Sequence, residues 1–354
     1  MPTAILHALD TVFFRDGRPF SMGDDSFAQG IFPPPPSVLY GALRSCFIAK
    51  GLEESADLHH SIEDSSKLKI HCIAFDDNMG SQYFPMPKDL IVPIGIKPLK
   101  AQLLALESGP EYSSSQTPMV LKSPPNVLKT EDEPHLISSI ALQSYLGGDS
   151  SSFPVKRLSE FISFETKVGI GRNKETNTVE EGKLYKIQTN RMSNSNGKQL
   201  DFSVEYSAID LPQGTIIPLG GEGRVAQLTH SEDVKIDLKH PGSINFKIYL
   251  STPAIFQNGW KPENLLKKLG LELLAVASSN PLHIGGWDIR ARKPKPMLQF
   301  VPAGTVYYVK AETLEKAELA ALEIHGKAIS DNINQTDYCA MGFGIAFIGK
   351  NIQA

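Results

Sequence analysis

The last third of the chain has the clearest alternation of strand-like and helical segments. Runs of apolar and β-branched residues predict four strands, at 246–256, 271–277, 299–309 and 341–349, the third with a kink at 302–304. Apolar residues at helical spacing predict two helices, at 262–269 and 311–325. The resulting order, β-α-β-β-α-β, is that of one ferredoxin-like domain.

The first third of the chain begins in a similar way. Strand-forming residues at 5–14 precede an extended proline arm at 33–36. Apolar residues at helical spacing then predict an amphipathic helix at 38–50, with Ser37 as its N-cap. A further strand is predicted at 67–75. This β-α-β start is consistent with a second ferredoxin-like unit.

We therefore predict an α+β fold of two ferredoxin-like (RRM-like, βαββαβ) domains with insertions and glycine-rich loops. The N-terminal domain comprises residues 1–210, with a Ser- and Pro-rich loop at 106–135 and a long hairpin at 167–191 as insertions. The C-terminal domain comprises residues 211–354 and ends in a glycine-rich strand. The length of 354 residues agrees with two domains, because a single hydrophobic core rarely grows that large.

The charges of the chain nearly cancel. Its 35 lysines and arginines and 39 acidic residues give a net charge of −4, which excludes a globally basic nucleic-acid binder but not a local basic face. Cys46, Cys72 and Cys339 are widely spaced, so neither a disulfide framework nor a zinc site is predicted. Because the sequence has no leader pattern and no long apolar run, we expect a soluble, cytoplasmic protein without membrane contact.

Common enzyme signatures are absent from the sequence. The glycines at 169–171 lack a third glycine at the spacing of a dinucleotide-binding loop, and no P-loop, zinc-protease or esterase motif occurs. His59 and His60 lie in a polar, acidic stretch that we interpret as solvated surface. His7 has the chemistry of a general base for RNA cleavage, although a structural histidine is the simpler interpretation. We predict no cofactor and no metal.

Cations gather in two regions and at several turns. Residues 290–296 carry four positive charges and no negative one, shortly after Trp287, and the hairpin at 167–191 has six cations against three acids. Further arginines lie beside glycines or aromatic residues at turns: Arg15, Arg18 and Arg224. Phosphates attract lysine and arginine, and unpaired bases stack on aromatic rings. The pattern therefore predicts a binder of bent, single-stranded nucleic acid, with a solvated loop as the alternative interpretation of 290–296.

Several sequence blocks are specific enough to resemble one family. In chain order they are LDTVFFRDGRPF at 9–20, FPPPPSVLYGALR at 32–44, GIGR at 169–172, EGKLY at 181–185, PLGGEGR at 218–224, GWD at 286–288, PKP at 294–296 and GFGIAFIG at 342–349. They resemble the family of third subunits of type III-B CRISPR (Cmr) effector complexes, which belongs to the RAMP superfamily. Residues 52–66 and 106–135 carry no recognisable match.

The resemblance implies a non-catalytic, RNA-binding subunit that serves antiviral defence. Members of this family hold the repeat-derived 5′ tag of the guide RNA (crRNA). They also bind the large polymerase-like (cyclase) subunit and the first backbone subunit, and they meet target RNA only indirectly. Target RNA cleavage belongs to the backbone subunits. The slight net acidity of the chain suggests that RNA covers one face and that other surfaces meet protein partners.

The resemblance and the charge pattern together predict a set of RNA-binding residues. They are Arg15, Arg18, Arg44, Gly169, Gly171, Arg172, Arg224, Trp287, Lys295, Gly342 and Gly344. The arginines would hold phosphates, and Trp287 would stack on a base or brace its loop. For Gly342 and Gly344, a core strand relieved by glycine is an equally good interpretation.

Two other functions stay open at this point. The first is a RAMP-type, metal-independent endoribonuclease that processes the crRNA precursor with His7 as its base. The sequence identifies no partner for His7, which argues against this function. The second is a structural adaptor that contacts only proteins, against which the basic run at 290–295 argues.

Overall fold

The fold is mixed α/β and consists mostly of antiparallel sheets with few helices. The computed structural model describes residues 1–15, 27–28, 30–55, 63–95, 97–109, 116–125, 127, 129–149, 151–173, 175–176, 178–194, 196–231, 236–238, 240–288 and 293–351. Its principal helices are α1 (Pro36–Ser55), α2 (Ser139–Gly147), α3 (Glu263–Leu269) and α4 (Leu314–Ile324). Among the helices that it describes, none has the length and apolar character needed to cross a membrane.

A ten-stranded sheet dominates the chain up to residue 231. The strands in this part are β1 (Thr3–Ala8), β2 (Phe27–Ala28), β3 (Lys69–Asp76), β4 (Gln82–Pro85), β5 (Leu90–Ile91), β6 (Lys100–Leu103), β7 (Ala105–Ser108), β8 (Met119–Lys122), β9 (His135–Ser138), β10 (Ser152–Arg157), β11 (Ser163–Arg172), β12 (Val179–Arg191), β13 (Asp201–Ser207), β14 (Ile216–Pro218) and β15 (Val225–Ser231). The large sheet has the order β14-β15-β1-β13-β3-β4-β9-β10-β6-β5. Strands β11 and β12 form the predicted hairpin, and β2 joins its β12 side.

A five-stranded antiparallel sheet forms the C-terminal part. Its strands, with those of two short hairpins, are β16 (Asn245–Leu250), β17 (Leu271–Ala277), β18 (Leu282–Ile284), β19 (Trp287–Asp288), β20 (Lys293–Pro294), β21 (Leu298–Phe300), β22 (Val306–Ala311), β23 (Lys327–Ala328) and β24 (Ile345–Lys350). The sheet order is β17-β22-β16-β24-β23. Helix α3 connects β16 to β17, and α4 follows β22, so the main elements occur in the predicted order β-α-β-β-α-β.

Several predicted segments differ from the structure. The strand predicted at 5–14 already ends at Ala8, and the one predicted at 246–256 ends at Leu250. The strand predicted at 299–309 is divided into β21 and β22 at its predicted kink, because Gly304 adopts a left-handed conformation (φ +86°) in the intervening turn. A Cβ at Gly304 would lie 2.6 Å from the carbonyl oxygen of Met86, so this close approach requires glycine. The loop predicted at 106–135 contains strand β8, which pairs with β7 over four residue pairs.

The two sheets share one order of central strands. In chain order, β16, β17, β22 and β24 pair as β24-β16-β22-β17, and β1, β3, β13 and β15 pair in the same way, as β15-β1-β13-β3. A helix follows the first strand in both sets. No second helix connects β13 to β15, because residues 208–224 are fully described and consist of turns and β14.

The pairing also locates the division between the sheets. Strands β14 and β15 lie beyond residue 210, yet both belong to the first sheet. The first sheet ends at Ser231 and the second begins at Asn245. A domain boundary that respects the pairing therefore falls between these residues, later than the predicted division at 210.

The C-terminal sheet is buried on both faces. Ile248 and Tyr307 lie on the face that packs against α3 and α4. Tyr249, Tyr308 and Phe347 lie on the other face and belong to the same apolar core as the first sheet. Tyr249 also donates a 2.6 Å hydrogen bond to the carbonyl of Pro85. The two parts of the chain are therefore joined by a continuous core and not by a linker alone.

A buried carboxylate lies within this shared core. Asp89 is completely buried and accepts hydrogen bonds of 2.7 Å from the hydroxyls of Tyr145 on α2 and Tyr308 on β22. The ammonium group of Lys247, on β16, is 3.6 Å from the same carboxylate and 3.9 Å from the ring centre of Tyr145. Burial lowers the pKa of Lys247 and raises the pKa of both tyrosines. This cluster connects the loop before β5, helix α2 and the C-terminal sheet.

We predict that Asp89→Ala destabilises the chain by about 3–5 kcal/mol, because it leaves Lys247 as an uncompensated buried charge and two phenols without an acceptor. Tyr308→Phe removes one donor only and should cost about 1.5–3 kcal/mol, the range for a hydrogen bond to a charged group. Urea denaturation of the purified chain measures both changes. An Asp89→Ala chain no less stable than one carrying the exposed change Asp210→Ala would contradict this prediction.

Candidate nucleic-acid interface

The loop at 10–15 brings together three of the segments that carry the predicted RNA-binding residues. Val12 exchanges two backbone hydrogen bonds, of 2.7 and 2.9 Å, with Asn190 near the end of the hairpin strand β12. The amide of Gly221 donates a 2.8 Å hydrogen bond to the carbonyl of Phe13. Arg15 is exposed and pairs with Gly30 in an isolated bridge. The loop, the glycine turn at 219–224 and the hairpin base are therefore one continuous structure.

The glycine turn requires glycine for close packing. Gly220 has a left-handed conformation (φ +81°), and a Cβ there would lie 2.5 Å from the carbonyl oxygen of Phe13. Gly223 is also left-handed (φ +66°), but its Cβ would meet nothing within 4 Å. The turn is thus pressed against Phe13 at one end and open at the other. This arrangement places Arg224 beside the loop.

Arg224 and Arg191 share a carboxylate across this junction. The Nη1 of Arg224 and the Nη2 of Arg191 both donate to Asp10, and Arg191 also forms a two-pronged pair with Glu165 on β11. A hydrogen bond from the backbone of Thr11, together with the charge of Arg224, lowers the pKa of Asp10. A hydrogen bond from Arg191 lowers the pKa of Glu165. The sequence predicted Arg224 as a site residue but not its partners Asp10, Arg191 and Glu165.

Strand β11 of the hairpin is mostly exposed between residues 164 and 170. Gly169 pairs with Tyr185, and the register shifts between Ile170 and Arg172, where Gly171 forms an irregularity. Three apolar side chains of β11 are exposed: Phe164, Val168 and Ile170. The side chain of Arg172, and Arg18 as a whole, lie outside the described residues, as do His59 and His60.

A second group of predicted residues lies around α1 and the C-terminal hairpins. Arg44, half-buried on α1, donates a 2.9 Å hydrogen bond from its Nε to Ser65. Lys295 is exposed, and its backbone N–H donates to the carbonyl of Gly286 at 2.8 Å. Trp287 pairs through its backbone with Pro294. The side chain of Trp287 and residues 289–292 of the basic run lie outside the described residues.

A cavity of about 500 Å³ separates the start of α1 from the Lys295 hairpin. Its wall includes the aromatic side chains of Tyr338, Phe300 and Phe343, and its lining also includes Ser37 and Lys295. The structure therefore brings Lys295 and the glycines at 285–286 close to the helix that carries Arg44. It does not merge this group with the Arg224 group, which forms a separate cluster.

Gly342 and Gly344 are accounted for by packing. Both are buried and left-handed (φ +85° and +81°), and they delay the start of β24 to Ile345. A Cβ at Gly342 would lie 2.8 Å from the side chain of Ile70 on β3, and one at Gly344 would lie 2.7 Å from Ser330 Oγ. The packing alone explains why glycine stands at both positions. RNA contact there stays a prediction.

His7 has two partners that the sequence does not reveal. Its Nδ1 is 2.6 Å from the buried carboxylate of Asp201 on β13, and its Nε2 is 2.7 Å from the hydroxyl of Thr229 on β15. Asp201 also accepts from Asn78 and Gln199. The imidazole is therefore fixed between neighbouring strands, with both nitrogens engaged. Within the described ranges, no group of three or more metal-ligating side chains occurs.

Comparison with known proteins decides the family. A family model of CRISPR-associated proteins, Cas_Cmr3, matches residues 4–351. The chain belongs to the Cas_Cmr3 family. The relation to third subunits of type III-B systems that the sequence blocks predicted is thereby confirmed over nearly the whole chain.

A curated relative and two solved structures are similar to this chain at low sequence identity. The CMR subunit Cmr3 of Saccharolobus solfataricus is 26% identical over 190 residues, which cover 51% of this chain and 57% of that protein. The match thus spans little more than half of the relative's length. Two solved structures of type III-B Cmr-beta bound to cognate target RNA, one of them also with AMPPnP, contain a chain of similar fold. The TM-scores are 0.52 and 0.50, with 18% identity and 86% of each chain covered, a likeness in fold alone.

We predict that Gly220→Ala destabilises this Cas_Cmr3 chain more than Gly223→Ala. Both substitutions cost about 1–2 kcal/mol for the left-handed conformation, but only Gly220→Ala also forces Phe13 and the loop at 10–15 to shift. Urea denaturation gives the two losses of stability, and Gly223→Ala is the matched control within the same turn. Equal losses would show that the turn does not depend on its contact with Phe13.

Proposed function

We propose that this chain is a non-catalytic, crRNA-binding subunit of a type III-B Cmr complex. Its ligand is the 5′ repeat-derived tag of the guide RNA, and its role is in antiviral defence. Membership of the Cas_Cmr3 family supports this proposal. The observation that carries it is the convergence of the loop at 10–15, the glycine turn and the hairpin base, where Arg224 and Arg191 share Asp10. Arg15 lies at the end of the same loop, bridged to Gly30.

The Arg224 cluster and the cavity beside Lys295 both have the side chains that bind single-stranded RNA. Arginines at turns hold phosphates without reading sequence, while an aromatic-walled cavity accepts a base that is splayed out of a bent strand. The Arg224 cluster supplies the cations, and the Lys295 cavity combines one cation with three aromatic side chains. Arg18, Arg172 and Trp287 complete the proposed set on the strength of the family motifs, as do Gly169 and Gly171.

The proposed partners follow from the family. The large polymerase-like subunit and the first backbone subunit bind the protein surfaces that the RNA leaves free, and target RNA is met indirectly. Cytoplasmic location, the absence of a cofactor and the absence of a membrane partner belong to the same proposal. The equal order of central strands in the two sheets supports two ferredoxin-like domains, of which the first lacks its second helix.

We expect that Arg15→Glu and Lys295→Glu each weaken binding of the tag RNA and reduce its salt dependence. One lost phosphate contact lowers the slope of log K against log salt by about 0.7 for a single strand. Lys129→Glu, an exposed charge reversal outside both clusters, is the control. Fluorescence anisotropy at several salt concentrations measures the slope. A slope that is the same in all four chains would refute these assignments, and crosslinks confined to the spacer part of the guide would refute tag recognition.

The alternative function, a metal-independent endoribonuclease, gains one observation from His7, which now has a carboxylate partner. However, its Nε2 is already hydrogen bonded to Thr229, so a ribose hydroxyl would have to displace that hydroxyl before His7 could take its proton. We therefore expect labelled repeat RNA to stay intact with the wild-type chain and with His7→Ala in the presence of EDTA. Discrete cleavage by the wild type that His7→Ala abolishes would establish the nuclease instead.

A further inference from the structure

The arginines at the hairpin base are both occupied by carboxylates of the chain itself. Arg191 binds Glu165 through Nε and Nη2 and reaches Asp10 at 3.3 Å, while Arg224 binds the other oxygen of Asp10. Two cations and two acids thus form a neutral group at the position where three segments of the proposed RNA surface meet. A carboxylate fills the guanidinium fork with the same geometry as a phosphate.

These ion pairs are open to solvent on their acidic side. The side chains of Asp10 and Glu165 are 53% and 46% exposed, so water and salt screen their attraction to the arginines. The two-pronged geometry makes the Arg191–Glu165 pair the stronger of them. The Nε of Arg224 is buried and has no hydrogen-bond acceptor among the described residues, so Asp10 satisfies that guanidinium only in part. Both arginines therefore remain available to a stronger anion.

A polar hollow of about 610 Å³ opens directly beside Arg191. Besides this arginine, it is lined by hydroxyl and amide groups, including those of Ser163 and Asn194, by Ile162, and by Lys198, which is paired with the Glu160 carboxylate of the same wall at 3.1 Å. Hydroxyl, amide and cationic groups bind the sugar and phosphate of a nucleotide. The hollow adjoins the ion-pair cluster through Arg191.

We propose that Arg191 and Arg224, together with this hollow, form a phosphodiester site for single-stranded RNA that Asp10 and Glu165 keep closed in the free chain. The proposal rests on the proposed function and deepens it. To enter, an RNA phosphate must displace the carboxylate of Asp10 from the arginines. An anion that makes no other contact with the chain competes poorly for them. A strand that Arg15 and the Lys295 cluster already hold presents its next phosphate at high effective concentration. The two acids therefore penalise RNA that fails to engage the other contacts, so they determine specificity.

The test compares binding of the tag RNA and of polyuridine to the full chain by fluorescence anisotropy. We expect Asp10→Asn and Glu165→Gln each to bind polyuridine about two- to fivefold more tightly than the wild type, the factor set by one exposed ion pair. The tag RNA should gain less, so that discrimination between the two RNAs falls. Arg191→Gln should weaken binding of both RNAs and lower the salt slope.

Glu312→Gln is the matched control, because it removes one carboxylate from another exposed ion pair, with Lys316 on α4. Circular dichroism of each variant verifies the fold, and Glu165→Gln provides a second test if Asp10→Asn disturbs the loop. Polyuridine affinities that match the Glu312→Gln control, or that fall below the wild type, would overturn the closed site. If the wild-type chain bound neither RNA, the proposed function itself would fail, which is a distinguishable result.

Discussion

The architecture depends on the buried carboxylate of Asp89. A completely buried acid is tolerated only when its charge is compensated, and here two phenols and the ammonium of Lys247 surround it. Each of these groups comes from a different element, so the cluster is complete only when α2, β16 and β22 are all in place. The requirement fixes how the two sheets face each other. Together with the shared apolar core, it holds the two parts of the chain that carry the Arg224 cluster and the Lys295 cavity.

The parts of the fold that the sequence predicts well are those encoded by short-range patterns. Helical spacing over 38–50 predicts the interior of α1, which extends to Pro36–Ser55, and the hairpin predicted at 167–191 begins at Ser163. Long-range pairing is less visible. Strand β15 joins the first sheet through β1, more than 200 residues earlier, with Thr3 opposite Ser231, and β14 joins through β15. No local pattern marks that connection, so the boundary at 210 falls too early.

The candidate site shows the same division between local and distant information. Arginines beside glycines are visible in the sequence, and the turn that precedes Arg224 does pack against the loop that ends at Arg15. The sequence does not show that the charge of Arg224 is paired, because its partner Asp10 is 214 residues away and the two meet only in the folded chain. The partners of His7 are similarly distant, at separations of 194 and 222 residues. Counting cations along the chain therefore overestimates the positive potential at the hairpin base. Local motifs indicate where a ligand binds, while tertiary contacts determine how strongly.

The exposed face of the hairpin also affects the chain before it meets any ligand. Phe164, Val168 and Ile170 are 47–61% exposed on β11, which is the edge strand of its small sheet. An open edge with apolar side chains is a template on which another chain can add a strand, so it is a hazard for aggregation. Folding alone does not remove this hazard, since the strand is exposed in the folded chain. Whether newly made copies aggregate therefore depends on how quickly other molecules cover the hairpin. Copies in excess of their binding partners keep this edge exposed and are the ones most prone to aggregate.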